Sequence, residues 1–274
     1  MNANSIASKE VSDSYLLDNA GREAPARFNA LASLFDSGTI RHFENCGVAS
    51  GWNCLEIGGG GGSIASWLAE RAGNTGRVVA TDIDPRFLRE LNHPLVEVWQ
   101  HNIVSDPLPE AAFDLVHARL VLIHLPQREE VLRRMIRALK PGGWIVSEEF
   151  DSASLVPDPE VNPGETLLKT HVAMFRLVES HQIERRFGRF LLHRLRTHQL
   201  INAGAEGRLF MWQANSPGAA LMRSNYEQMR DAMIQAGYIT EQQFSQDLAR
   251  MQEPDFMMPS AILWSAWGRR PLAT

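Results

Sequence analysis

Five consecutive glycines, Gly58 to Gly62, follow the short apolar run Cys54-Leu55-Glu56-Ile57 and lead into Ile64, Trp67 and Leu68, which recur at helical spacing. A glycine gives up more chain freedom on folding than any other residue, so a turn with only a structural purpose needs one or two of them. A glycine loop between a strand and a helix is the usual setting in which bare backbone meets a ligand. Glu56 places a carboxylate directly ahead of the loop. A negative charge there suits a ligand that carries an ammonium or sulfonium cation and no phosphate, and a carboxylate that merely orders the loop is the plainer alternative. Asp82 and Asp84 close the next apolar run, Val78-Val79-Ala80-Thr81.

The glycines by themselves leave two registers open. Gly60-x-Gly62-x-x-Ala65 satisfies the dinucleotide pattern G-x-G-x-x-G/A, whereas Glu56-x-Gly58-x-Gly60-x-Gly62 is an acidic residue followed by alternating glycines. The rest of the chain must decide. Short apolar runs at 54–57, 78–80, 96–99, 113–116 and 144–147 read as strands, with helical spacing between them. Gln127 to Lys140 reads as a helix with Val131, Leu132, Met135, Ile136 and Leu139 on one face, stopped by Pro141-Gly142-Gly143. Strands alternating with helices in this way predict a parallel sheet with right-handed crossovers, and ligands in such sheets sit beyond the carboxyl ends of the strands. Further strands are expected near 207–213 and 261–268. Residues 15–46 should form short helices broken at Gly21, Pro25 and Gly38.

The composition sets bounds on function. The chain has 274 residues, 44% hydrophobic and 22% charged, with a net charge of −5. Its acidity argues against nucleic acid as a partner. Two cysteines, Cys46 and Cys54, are too few for a disulfide scaffold or a zinc site, so reduced thiols and no metal are expected. The N-terminus lacks a signal-peptide run, and no apolar stretch approaches the roughly 20 residues of a membrane span. A cytoplasmic protein with no membrane partner is therefore expected.

Leu55-Glu56-Ile57-Gly58-Gly59-Gly60-Gly61-Gly62, Val79-Ala80-Thr81-Asp82-Ile83-Asp84, Phe113-Asp114-Leu115-Val116 and Leu139-Lys140-Pro141-Gly142-Gly143-Trp144, in this order and spacing, resemble the conserved blocks of class I S-adenosylmethionine-dependent methyltransferases of the small-molecule type. The resemblance covers about residues 50–151. It implies an α/β fold: a Rossmann-like, seven-stranded, mostly parallel sheet with helices on both faces, the last strand antiparallel. It also implies S-adenosylmethionine as cofactor and S-adenosylhomocysteine as product. Gly58, Gly60 and Gly62 would lie against the methionine part, Glu56 near its ammonium, Asp82 on the ribose with Asp84 as the alternative, and Ile83 on the adenine face. Where the family often has an Asp that accepts from the adenine amino group, this chain has Asn102; the Ile103 amide would serve adenine N1, and Asp106 is a lesser substitute. His117-Ala118-Arg119 would pass under the methionine moiety, with Ala118 and Arg119 in contact with it. Tyr15 and Arg27 lie in helices that resemble the cap folded over the cofactor in many such enzymes.

The implied organisation is an N-terminal helical cap (1–50), a cofactor-binding core (51–155), a helical lid (156–203), and the end of the core sheet (204–274) with a helical insertion at 217–258. On the acceptor side, His124 is a candidate base beyond the fourth strand, and Glu149 is a candidate at the end of the fifth. Glu148 and Glu149 alternate faces, so at most one would point at a pocket. The arginine run 185–196 reads as a solvated face. No D/N-P-P-Y/F loop follows the fourth strand and neither cysteine follows a proline, which sets aside DNA-base methylation. The expected acceptor is a small, largely apolar metabolite, methylated by direct in-line displacement. The classes to be distinguished from this are an NAD(P)-dependent oxidoreductase, a nucleic-acid or protein methyltransferase, and a protein that keeps the cofactor without transferring its methyl group. A homodimer is the assembly to test.

Overall fold

A computed structural model describes residues 16, 19, 21–155 and 168–272. The chain enters through one long helix, α1 (Ala24–Cys46). The core then alternates: β1 (Asn53–Ile57), α2 (Ser63–Ala72), β2 (Arg77–Asp82), α3 (Arg86–Glu90), β3 (Val96–Gln100), β4 (Phe113–Arg119), α4 (Arg128–Ala138) and β5 (Leu139–Asp151). After it come α5 (Lys169–Ser180), α6 (Leu191–Thr197), β6 (Ile201–Arg208), β7 (Met211–Gln213), α7 (Pro217–Gln235), α8 (Glu241–Arg250), β8 (Met257–Pro259) and β9 (Ile262–Arg269).

Seven strands form one sheet in the order β3-β2-β1-β4-β5-β9-β6. β1 pairs in parallel with β2 and β4, and β4 with β5. β9 inserts antiparallel between β5 and β6. This is the Rossmann-like arrangement with its last strand reversed. Central strands are covered on both faces, which is why they read as continuous apolar runs rather than alternating ones: Cys54, Leu55, Ile57, Val116 and Ala118 are fully buried. α4 buries Val131, Leu132, Met135 and Ala138 against that sheet. No helix among the described residues is long and apolar enough to cross a membrane.

Three local expectations are corrected. The sixth sheet strand is Ile201–Arg208, not 207–213; Met211–Gln213 leaves the sheet and pairs with Met257–Pro259 in a separate ribbon. Gly38 does not break the N-terminal helix. It lies inside α1 because the Arg208 guanidinium crosses the helix there, and a Cβ at Gly38 would stand 1.2 Å from Arg208 Nη1. Glu148 and Glu149 are not at the end of β5, which runs on to Asp151. The 217–258 segment splits into α7 and α8, the latter opened by a capping box of Thr240 and Gln243.

Candidate active site

The carboxyl ends of β1, β2 and β4 open into a cavity of about 910 Å³, at the upper end of the ~300–1,000 Å³ usual for small-molecule sites. One wall is the glycine loop with the tips of β2 and β3. An apolar part of the lining comes from α1, α5 and α7: Phe28 and Leu31, then Met174, Phe175 and Val178, then Leu221 and Met229.

The backbone of the loop alternates along its five glycines. Gly58, Gly60 and Gly62 have φ of +66°, +52° and +80°, whereas Gly59 and Gly61 do not adopt the left-handed region. The alternation is that of the acidic-x-G-x-G-x-G pattern. A Cβ at Gly58 would meet Val121 Cγ2 at 2.4 Å, and one at Gly60 would meet Phe28 Cε1 at 2.6 Å. The glycines are therefore demanded by backbone conformation and by α1 packing onto the loop. Gly58 and Gly60 line the cavity, whereas Gly62 stands behind them as the N-cap of α2.

Asp82 ends β2, where the sheet delivers it to the cavity. Its Oδ2 accepts the Gly60 N–H at 3.1 Å and its Oδ1 accepts the Asp84 N–H at 3.0 Å. A carboxylate has about four acceptor positions, so each oxygen keeps capacity for a ligand hydroxyl. Burial, above all, raises its pKa. Asp84 is instead tied to Arg86 at 2.8 Å, which leaves Asp82 the better diol partner. Ile83, Asn102 and Ile103 also line the cavity. The Asn102 side-chain oxygen accepts the Val104 N–H at 3.0 Å, which uses one of its two lone pairs. The Asn102 amide NH₂ and the Ile103 N–H are left as the donors on this side.

Arg27 and Arg119 both reach the cavity wall. Arg27 donates to Asn19 at 3.1 Å and lies over the Phe28 ring. Arg119 is anchored to Asp36 at 2.8 Å and Thr39 at 3.0 Å. Ala118 is fully buried in β4 and is not part of the wall. Tyr15 lies outside the described residues.

His124 closes a 3₁₀ turn, Leu122–His124, and lines the cavity. Its burial in the wall, reinforced by the charges of Arg27 and Arg128, lowers its pKa to about 4. It is neutral at pH 7 and weakly basic, suited to orienting a nucleophile more than to removing a tightly held proton.

Glu149 does not reach the cavity. It is fully buried, with Oε1 accepting the N–H groups of Val121 (3.1 Å) and Leu122 (2.7 Å) and Oε2 that of Ile123 (3.3 Å). It therefore holds the turn that carries His124 and faces no substrate. Glu148 points to the other face, toward His117 and Arg208. Burial raises Glu149 to about 8 against the pull of the three N–H groups. His117 is raised to about 9: burial alone would lower it, but Glu56 and Glu148 outweigh that.

Both groups bind their proton more tightly in the fold than in the unfolded chain, so their contribution is complete below the unfolded values of 4.5 and 6.5 and is withdrawn as pH rises through about 8 and 9. Denaturation by urea is thus expected to become easier between pH 6.5 and pH 9. A stability that is flat or rises over that interval would contradict this.

Sequence reasoning expects a few apolar residues of the helical insertions at 156–203 and 217–258 to line an acceptor pocket, and Met174, Phe175 and Met229 do line the cavity. It missed Asn225, whose buried side-chain oxygen in that lining has no partner among the described residues. It also missed Leu120, which takes φ +58° just after β4, a conformation an aliphatic residue adopts only when its surroundings impose it. The arginine run is paired off: Arg185 with Glu179, Arg186 with Glu184, Arg189 with Asp151 and Arg194 with Glu129. Cys46 and Cys54 are buried, and burial pushes both thiols up to about 12.

Residues 55–147 match the family model described as a methyltransferase domain, over the same stretch that builds the glycine loop, Asp82 and the first five strands. This segment is a methyltransferase domain. Methyltransferase str3 of Strobilurus tenacellus is 33% identical over 138 residues, covering 50% of this chain and 48% of that protein. The ubiquinone/menaquinone biosynthesis C-methyltransferase UbiE of Laribacter hongkongensis is 33% identical over 151 residues, covering 48% of this chain and 62% of that protein. The chain thus spans about half the length of the curated relatives it matches. Among solved structures, Haemonchus contortus phosphoethanolamine N-methyltransferase 2, determined with phosphomonomethylethanolamine and S-adenosylhomocysteine, superposes with a TM-score of 0.58 at 14% identity, covering 94% of this chain and 59% of that one. The YcgJ protein of Bacillus subtilis gives a TM-score of 0.56 at 13% identity over 87% of this chain and all of that one. These likenesses show a shared fold.

Proposed function

We propose that the protein transfers a methyl group from S-adenosylmethionine to a small, largely apolar acceptor. The observation that carries this reading is a left-handed glycine loop, with the Asp82 carboxylate beside it, in one cavity with an apolar lining from α1, α5 and α7. Glu56, Asp82 and Asp84 make the loop side of the cavity acidic, which suits a cationic amino-acid end and a ribose diol and opposes a pyrophosphate. In this reading Asp82 accepts from the ribose hydroxyls, Ile83 packs on the adenine, and the Ile103 N–H and Asn102 NH₂ donate to its ring nitrogens. When bound, the cofactor supplies a sulfonium-activated methyl group for a one-step in-line displacement. The chain's own part is alignment and exclusion of water: Phe28, Leu120, Phe150, Phe175 and Met229 wall the acceptor, while His124 and Asn225 offer acceptors for a nucleophile's proton.

Titration with S-adenosylhomocysteine and with NADH tests the reading. Binding of the first alone is expected, and tight binding of NADH alone would overturn it. Incubating labelled cofactor with apolar hydroxylated or carbon-acid acceptors should then transfer label. Asp82→Ala is expected to weaken S-adenosylhomocysteine by about 1–3 kcal/mol, the cost of leaving ribose hydroxyls unpaired. Unchanged affinity would mean the ribose lies elsewhere.

A further inference from the structure

Beneath the glycine loop lies a buried ion cluster. His117, in the middle of the sheet on β4, is wholly inaccessible. Its Nδ1 lies 2.6 Å from Glu56 Oε2 and its Nε2 lies 3.4 Å from Glu148 Oε2. Glu148 also accepts from Arg208 Nη2 at 2.9 Å and from the Ser265 and Thr39 hydroxyls. Thr39 in turn accepts from Arg119 at 3.0 Å, and Phe43 closes the imidazole edge-on at 5.0 Å. A neutral imidazole has one donor and one acceptor nitrogen, whereas the imidazolium donates from both. With a carboxylate on each side, the geometry is that of the doubly donating cation.

Of the two carboxylates that flank His117, Glu56 also lines the cavity and Glu148 does not. We propose that His117 is a positioning residue for the cofactor's amino-acid end: as an imidazolium braced by Glu148, it clamps one oxygen of Glu56, so that the carboxylate is held in place with its other oxygen toward the cavity. This rests on the reading that the loop holds S-adenosylmethionine. Without the cation, the buried Glu56 carboxylate would lose its side-chain partner and turn away, which removes the anion from the cofactor's ammonium. The cluster also ties the cofactor site to α1 through Thr39 and to β6 through Arg208, so the cap helix and the loop are held in one network.

The experiment is calorimetric titration of wild type and His117→Gln with two probes, S-adenosylhomocysteine and 5′-methylthioadenosine. The second has the adenosine and thioether but neither ammonium nor carboxylate. Losing a charge-assisted contact should lower S-adenosylhomocysteine affinity about tenfold or more while methylthioadenosine stays within about twofold. An equal loss for both probes, or an unchanged S-adenosylhomocysteine affinity, would overturn the role. Should His117→Gln not fold, Glu148→Gln keeps the shape and removes one of the two charges that hold the imidazolium. It is expected to show a smaller loss, about three- to tenfold, confined to S-adenosylhomocysteine, and a loss shared by both probes would overturn the proposal. Wild-type protein that binds neither probe would instead refute the cofactor reading itself.

Discussion

Glu149→Ala is expected to lower the thermal unfolding temperature by roughly 10 °C. The substitution strips the acceptor from three backbone N–H groups, those of Val121, Leu122 and Ile123, around a side chain that is itself wholly buried. Each buried donor left unsatisfied costs about 1–3 kcal/mol. The cavity left by the side chain adds to this, while relaxation of the turn offsets part, for a net of about 3–5 kcal/mol. At roughly 2–4 °C per kcal/mol for a domain of this size, the shift is large and readily measured.

Glu149→Gln separates the cause. Burial holds the Glu149 carboxyl up at about 8, so at neutral pH the native side chain is mainly uncharged. Glutamine reproduces its shape and the acceptor that serves Val121 and Leu122, and should cost only about 1 kcal/mol. Calorimetry of the two variants checks this. Activity carries a second consequence, because the same turn places His124 and Val121 in the cavity wall. Glu149→Ala should reduce turnover while S-adenosylhomocysteine affinity, set by β1 and β2, changes little. A Glu149→Ala protein as stable as wild type would show that the turn does not depend on this carboxyl.

Gly60→Ala should abolish cofactor binding at any practical concentration, a loss of at least about 100-fold. The left-handed conformation costs an L-residue roughly 1–2 kcal/mol, and here φ is +52°. The added methyl would also lie 2.6 Å from Phe28 Cε1. Phe28 has little freedom to retreat, since it packs edge-on to Phe87 at 5.3 Å and beneath the Arg27 guanidinium at 5.0 Å. The loop must move instead, and it takes with it the Gly60 N–H that orients Asp82.

Gly59→Ala is the control. Gly59 does not occupy the left-handed region, and its Cβ would meet the flexible end of Leu88 at 3.0 Å. It should retain affinity within about tenfold, since the end of a flexible side chain can yield at small cost. Titration of both variants with S-adenosylhomocysteine decides the matter: equal losses would mean that composition, not backbone sign, controls the loop.

The part of the molecule written most plainly in the sequence is the alternating core from Asn53 to Asp151. Its strands are covered on both faces and its helices on one, so burial imposes local periods that survive without knowledge of the partner. The glycine run, Glu56 and Asp82 were legible for the same reason: each is fixed by its own strand end. Gly38 shows where local reading fails. Its spacing looks like a helix break, yet it is a helix-interior glycine because an arginine 170 residues later crosses there. The edge strand β6 was misplaced because Ile201–Arg208 has only partly buried or exposed residues and little apolar pattern, whereas Arg208-Leu209-Phe210-Met211-Trp212 has one.

The fold class, the loop and the residues at the tips of β1 and β2 follow from local pattern, because they depend on neighbours close in the chain. Tertiary structure alone decided which glycines are left-handed, that Glu149 supports a turn rather than a substrate, and that Glu56, His117, Glu148 and Arg208 form one cluster. These depend on pairings across 26 to 63 residues, and the free energy that fixes them, the penalty for a buried charge or N–H without a partner, exists only once the layers have closed.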